Sequence, residues 1–190
     1  MRKMRINEIF YSLQGEGEHT GKPAVFVRFA GCNLKCDFCD TDFVSYMEMT
    51  EEEIVSAVLR YPTNIVILTG GEPTLQLTSS LLEKLCEAGR RVHIETNGTR
   101  LLPEGPISWV TCSPKYATLS IQRIDELKVV YQGQDMSQYD DIEAKVYSLQ
   151  PCDTGDTIKN KEILQQTINY ILQHPKWKLS LQTHKIINVK

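Results

Sequence analysis

Three cysteines fall within eight positions of the segment GCNLKCDFCDT, residues 31–41, at Cys32, Cys36 and Cys39. Thiolates this close together bind zinc or an iron–sulfur cluster, and the wider pattern separates the two. Zinc ribbons and fingers add a second ligand pair about a dozen or more residues further on. Here Cys86, Cys112 and Cys152 are scattered, and His19, His93, His174 and His184 do not fall at ligand-pair spacing. A cubane cluster held by three cysteines keeps one iron without a protein ligand, so that iron can bind a small molecule and pass it an electron. The segment therefore reads as an open metal corner, with a structural zinc loop or three buried thiols as the plain alternatives.

Other short motifs sit just beyond strand candidates, where α/β folds place their binding groups. In TGGEP, Thr69–Pro73, two glycines admit a ligand close to the backbone and Glu72 can accept from an ammonium group. Alone, the same residues make an ordinary turn with an acid favoured by a helix dipole. ETNG (95–98), SPK (113–115) and LQPCD (149–153) are likewise either ligand contacts or plain turns. YSLQGEG, residues 11–17, runs from a strand into Gln and two glycines, a loop suited to a flat polar ligand because Gln pairs donor and acceptor edges. A hairpin turn is the alternative there.

In this order, C-x3-C-x2-C, TGGEP, ETNG and SPK resemble the motifs of the radical S-adenosylmethionine enzymes. The resemblance implies a 4Fe–4S cluster on Cys32, Cys36 and Cys39 whose open iron chelates the amino and carboxylate groups of the methionine part of S-adenosylmethionine. An electron passed to the sulfonium breaks a C–S bond and yields a 5′-deoxyadenosyl radical. Hard chemistry of this kind belongs to the cofactor, so no catalytic side chain is expected. The resemblance places Phe38 near the adenine, with Cys39 and Asp40 beside it, and assigns Gly71 and Glu72 to the methionine amino group. Thr96, Ser113, Pro114, Lys115, Gln150 and Asp153 complete the implied cofactor contacts.

SLQGEG followed by FVRFAGCNLKCDFCDT is similar to the 7-carboxy-7-deazaguanine synthase family, and the likeness continues to the final QTHKIINVK. It implies conversion of 6-carboxy-5,6,7,8-tetrahydropterin to 7-carboxy-7-deazaguanine with loss of ammonia. Leu13, Gln14 and Gly15 would meet the pterin ring, Arg28 its carboxylate, and Thr69 and the carboxylate of Lys190 would add contacts. A guanidinium suits a carboxylate because it donates two parallel hydrogen bonds. Thr41 matches the family's magnesium ligand, with substrate oxygens and water completing the octahedron. A homodimer and an external electron donor of flavodoxin or ferredoxin type are also implied. The spacing from first to second cysteine is short where some members carry an insertion, and the compact chain implies reduced substrate-covering loops. One rival is an activating enzyme that installs a glycyl radical on a protein, against which SLQGEG speaks. The other is a non-catalytic zinc or electron-transfer module.

Eight strand candidates must position these motifs: 6–12, 24–30, 64–69, 90–96, 109–113, 126–131, 145–150 and 178–183. Several are continuous Val/Ile runs suited to a parallel sheet buried on both faces. Helices are predicted from Thr50, whose pairing with Glu53 forms a capping box, over Thr78–Ala88 with Gly89 as C-cap, and over Asn160–His174 up to Pro175. The link NGTRLLPEGPIS is too short and too rich in Gly and Pro for a crossover helix. The expected fold is a partial, modified TIM-like (β/α)6 barrel with some covering helices missing.

Size and charge bound the rest. At 190 residues with 41% hydrophobic content, residues 1–190 read as a single domain. A net charge of −3 gives no global pull toward nucleic acid or anionic membrane. The first residues lack a signal-peptide pattern and the longest apolar runs are too short to span a bilayer, so a cytoplasmic location with reduced thiols is expected. Reconstituted protein is expected to be brown with about four irons per chain by metal analysis. Colourless protein carrying zinc would refute the cluster reading.

Overall fold

IVILTG, residues 65–70, is apolar on both faces of its pleat, which requires cover on both sides. The computed structural model, which describes residues 2–39, 45–115, 118–121 and 123–190, places this run inside a nine-stranded sheet. The strands are β1 (Met4–Leu13), β2 (Pro23–Phe29), β3 (Met47–Met49), β4 (Ile65–Gly70), β5 (Arg91–Thr96), β6 (Trp109–Cys112), β7 (Glu126–Tyr131), β8 (Val146–Pro151) and β9 (Trp177–Leu179). Their order is β3-β1-β2-β4-β5-β6-β7-β8-β9. β1 runs antiparallel to both neighbours, and all pairings from β2 to β9 are parallel. The result is an open, barrel-like α/β sheet, as the sequence suggests.

Alternation along the strands sorts the side chains onto two faces. The outward positions Val66, Leu68, Val92, Ile94, Val110, Leu127, Val129 and Leu149 are fully buried and apolar. The inward positions of β5 to β8 include His93, Thr111, Glu126, Lys128, Ser148 and Gln150, which are buried and polar. The inner face is therefore a polar basin rather than a second core, apart from a patch of Ala24, Phe26, Ile65 and Ile67 backed by Phe10.

Helices cover only part of the outer face. α1 (Glu51–Leu59) begins at Thr50, whose side chain accepts from Glu53 N while Glu53 reaches back to Thr50 N, as the capping-box pattern predicts. α2 (Ser79–Glu87) starts at Thr78 and ends in a Schellman turn, with Arg90 N on Leu85 O and Gly89 N on Cys86 O, Gly89 at φ +77°. Both helices press Ile54, Val58, Leu81, Leu82 and Leu85 onto β1, β2, β4 and β5. α3 (Thr157–Gln173) packs Tyr170 and Ile171 against Leu127, Val129, Leu149 and Trp177. Between β5 and β8 the described connections carry no α-helix, and loop residues Leu102, Ile107, Leu119, Met136 and Tyr139 cover the sheet instead.

Three boundaries differ from the sequence reading. β3 is an added edge strand paired to Met4–Ile6. α3 starts three residues before Asn160 because the Asp156 carboxylate caps Ile158 N and Lys159 N. The candidate at 178–183 is strand only to Leu179; the chain then turns so that Thr183 N donates to Gly15 O and α4 (Thr183–Ile187) forms. Truncating the fully buried Leu82 to Ala is expected to cost about 2–5 kcal/mol in a urea melt. Thr50→Ala should cost only about 1 kcal/mol.

Candidate functional site

The C-terminal ends of β2 and β4 to β8 open onto one cavity of about 620 Å³. The cysteines contribute to its lining. Cys32, Cys36 and Cys39 are free thiols, all three line the cavity, and burial pushes the Cys36 thiol up from its ordinary value. Two glycines hold their loop against the sheet. Gly71 N donates to Phe29 O at 3.0 Å and Glu72 N to Gly31 O at 2.9 Å, so the chain after β4 runs alongside the start of the cysteine loop. A Cβ on Gly71 would run into the Gly31 carbonyl, and Gly70 adopts φ +128°.

Glu72 does not line the cavity. Its carboxylate is fully buried and accepts from Thr74 N (3.0 Å), Thr74 Oγ1 (2.6 Å), Thr96 Oγ1 (2.8 Å) and Asn97 N (2.7 Å). It fastens the loop after β4 to the loop after β5, and it is Gly70 and Gly71 that face the cavity. Thr96, Ser113 and Lys115 line the cavity; Pro114 does not. Lys115 donates to Ser113 Oγ at 2.8 Å and lies 5.5 Å from the Phe38 ring centre, with burial lowering its pKa. Gln150 and Asp153 also line the cavity, each already engaged: Gln150 Oε1 accepts from Ser180, and Asp153 accepts from Lys185, which holds its carboxyl down at about 2. Asp40 and Thr41 lie outside the described residues.

The same cavity is also lined by acids, amides and bases. Gln14 Nε2 donates to Glu95 Oε1 at 2.8 Å, and Thr69 Oγ1 donates to Glu95 Oε2 at 2.9 Å. Glu16 N donates to Gln14 Oε1, which fixes the amide's orientation. Leu13 and Gly15 flank Gln14; a Cβ on Gly15 would strike the His184 ring that packs there. Glu16 is ion-paired with Lys128, a lysine only 5% exposed. Burial, the largest single influence, would raise the Glu16 carboxyl, but the Lys128 charge and the hydrogen bonds from Lys128 and Gln182 together outweigh it and hold the carboxyl well below the usual range. Burial alone would lower Lys128, yet Glu16 and Glu95 raise it. Arg28 Nε donates to Glu8 at 3.0 Å, and Lys190 pairs with the other Glu8 oxygen while sitting over the Phe10 ring.

Comparison with known proteins decides the family. The Radical SAM superfamily model matches residues 26–144. A 7-carboxy-7-deazaguanine synthase from Bacteroides thetaiotaomicron is 56% identical over 191 residues, covering 100% of both chains. The chain belongs to the 7-carboxy-7-deazaguanine synthase family. A second synthase, from Bradyrhizobium diazoefficiens, is 37% identical across 97% of this chain and 98% of its own. Among solved structures, QueE from Escherichia coli superposes with a TM-score of 0.79 at 27% identity, covering 96% of this chain and 95% of that one. The synthases are radical SAM lyases, so a 4Fe–4S cluster and S-adenosylmethionine are the cofactors, and the zinc-module reading falls away.

The cavity fits that pair. Three free thiols share it with a glycine edge too tight for any side chain, while no described group of three His, Cys, Asp or Glu is gathered to hold a single metal ion. The sequence reading assigns no role to Glu8, Glu16, Lys128 or His184, all of which line the cavity, and includes Glu95 only within the ETNG motif. Lys128, set between Leu127 and Val129 in β7, is the one a sequence signal marks.

The Glu16–Lys128 pair is expected to be costly to break. Lys128→Met strands a buried carboxylate and should destabilise the fold by about 3–5 kcal/mol at neutral pH. Because the Glu16 carboxyl is depressed, its contribution is complete above the ordinary value of 4.5 and drains away as pH falls below it. Urea melts between neutral and acid pH should show this loss in the wild type and a flatter curve in the variant.

Proposed function

We propose that the chain converts 6-carboxy-5,6,7,8-tetrahydropterin to 7-carboxy-7-deazaguanine, with net loss of ammonia, on the route to queuosine and other 7-deazapurines. The observation that carries this is a single cavity lined both by the three thiols and by the hydrogen-bonded cluster Gln14–Glu95–Thr69. Cys32, Cys36 and Cys39 hold the cluster, which with S-adenosylmethionine supplies a hydrogen-abstracting radical. Gly71 brings main-chain groups to the cosubstrate, and Phe38, Thr96, Ser113 and Lys115 enclose its nucleotide part. Pro114 and Glu72 act by shaping the loops. Gln150 and Asp153 complete the enclosure, and Asp40 is a further cofactor contact carried over from the family resemblance.

Toward the substrate, Gln14 and Glu95 present acceptors and a donor suited to the amide and amino edge of a reduced pterin, flanked by Leu13, Gly15 and Thr69. Arg28 takes the carboxylate. Glu8 occupies its Nε, and among the described residues the terminal N–H groups have no protein partner, leaving them for an anion. Lys190 contributes from the docked C-terminal segment. Thr41 provides a magnesium ligand. The whole chain acts as one domain in the cytoplasm, as a homodimer, with a flavodoxin or ferredoxin as electron donor. No described helix is long and apolar enough to cross a membrane.

Anaerobic incubation of reconstituted protein with the pterin, S-adenosylmethionine and a reductant should release the deazapurine chromophore and one ammonia for each product. Absence of product from cluster-loaded protein overturns the substrate assignment. Arg28→Leu is expected to raise KM on the order of 100-fold through loss of a charge-assisted pair, while reductive cleavage of S-adenosylmethionine without substrate persists.

A further inference from the structure

We propose that the Asn97 side-chain amide donates a hydrogen bond to the thiolate of Cys32 and thereby raises the reduction potential of the cluster. The inference rests on the reading of Cys32 as a cluster ligand. Asn97 follows β5 and is 7% exposed, and its main-chain N–H is spent on Glu72 at 2.7 Å. Its Oδ1 accepts twice from Thr99, at 3.0 Å from N and 2.7 Å from Oγ1. Turning the amide over would set its NH2 against the Thr99 N–H and its oxygen against Asn33 Oδ1, so its NH2 end must face the cysteine loop. There Nδ2 lies 3.1 Å from Asn33 Oδ1 and 4.0 Å from Cys32 Sγ. Two hydrogens thus meet two acceptors.

The sulfur is placed to receive that donor. Leu34 N also donates to Cys32 Sγ at 3.4 Å, and Asn33 Nδ2 donates to Thr99 Oγ1 at 2.8 Å, which ties the cysteine loop to the same turn. A thiolate on iron carries more negative charge than a thiol and accepts more strongly. Donors to a cluster sulfur favour the more negative, reduced state, so they move the potential upward. The scaffold uses only Oδ1 and the main chain of Asn97. The NH2 group serves the cysteine loop alone.

The division of labour makes a clean test. Asn97→Asp keeps an acceptor for Thr99 and removes the donor; Asn97→Leu removes the donor without adding charge. Asn33→Ala removes a loop tie and keeps the donor. Midpoints come from redox titration of the reduced cluster's paramagnetic signal, with iron per chain measured alongside. Both Asn97 variants should retain iron, and their reduction equilibrium should fall at least threefold, roughly 28 mV for one electron. Asn33→Ala should stay within that limit of the wild type. Unchanged midpoints in iron-loaded Asn97 variants overturn the proposal, as does an equal shift in Asn33→Ala, which would make loop slackening the cause. Wild-type protein that holds no iron overturns the cluster reading itself, and this inference with it.

Discussion

A single buried carboxylate sets the geometry on which the site depends. Glu72 has no exposed surface, and burying a polar side chain is tolerable only when its hydrogen-bonding atoms are filled. Thr74, Thr96 and Asn97 fill them from two different loops. The acid therefore fixes the turn after β4 relative to the turn after β5, and the glycine edge of the first turn fixes the start of the cysteine loop. Three segments distant in sequence are held together by one charge and by the missing side chain of Gly71.

The same economy runs through the basin behind it. A sheet with an apolar outer face and a polar inner one can keep its inner acids only if each is ion-paired or hydrogen-bonded. Glu16 is paired with Lys128, and Glu126 accepts from Thr111, Ser148 and Glu18 N, across β6, β7, β8 and the loop after β1. The stability of the fold thus resides in its outer core, and the polarity needed to bind a ring rich in N–H groups is supported by pairs that are costly to disturb one at a time.

Much of this was legible in the sequence. Strand-like runs, several of them continuous in Val and Ile, located seven of the strands to within about two residues, and Thr50 with Glu53 marked a helix start because both halves of that cap are local. The start of α3 was missed because its first turn, TIKN, is polar and carries an outward Ile158, so the apolar stripe begins later than the cap. The end of the sheet was misjudged because LSLQT alternates like a strand, while Gly15, far away in sequence, claims Thr183 N. The role of Glu72 was legible only in part: the turn-and-cap reading holds, since its carboxylate caps Thr74 N, but only the fold reveals that Thr96 and Asn97 also donate to it.

The docking of α4 on the loop after β1 has a consequence for how the basin is enclosed. Gln182 bonds Glu16 and Thr183 bonds Gly15 across almost the full length of the polypeptide. Holding two such distant segments together carries a loop-closure cost that these bonds must offset. One side of the basin is therefore walled by the last tenth of the sequence, and a chain cut before Gln182 would lose that wall while keeping every strand of the sheet.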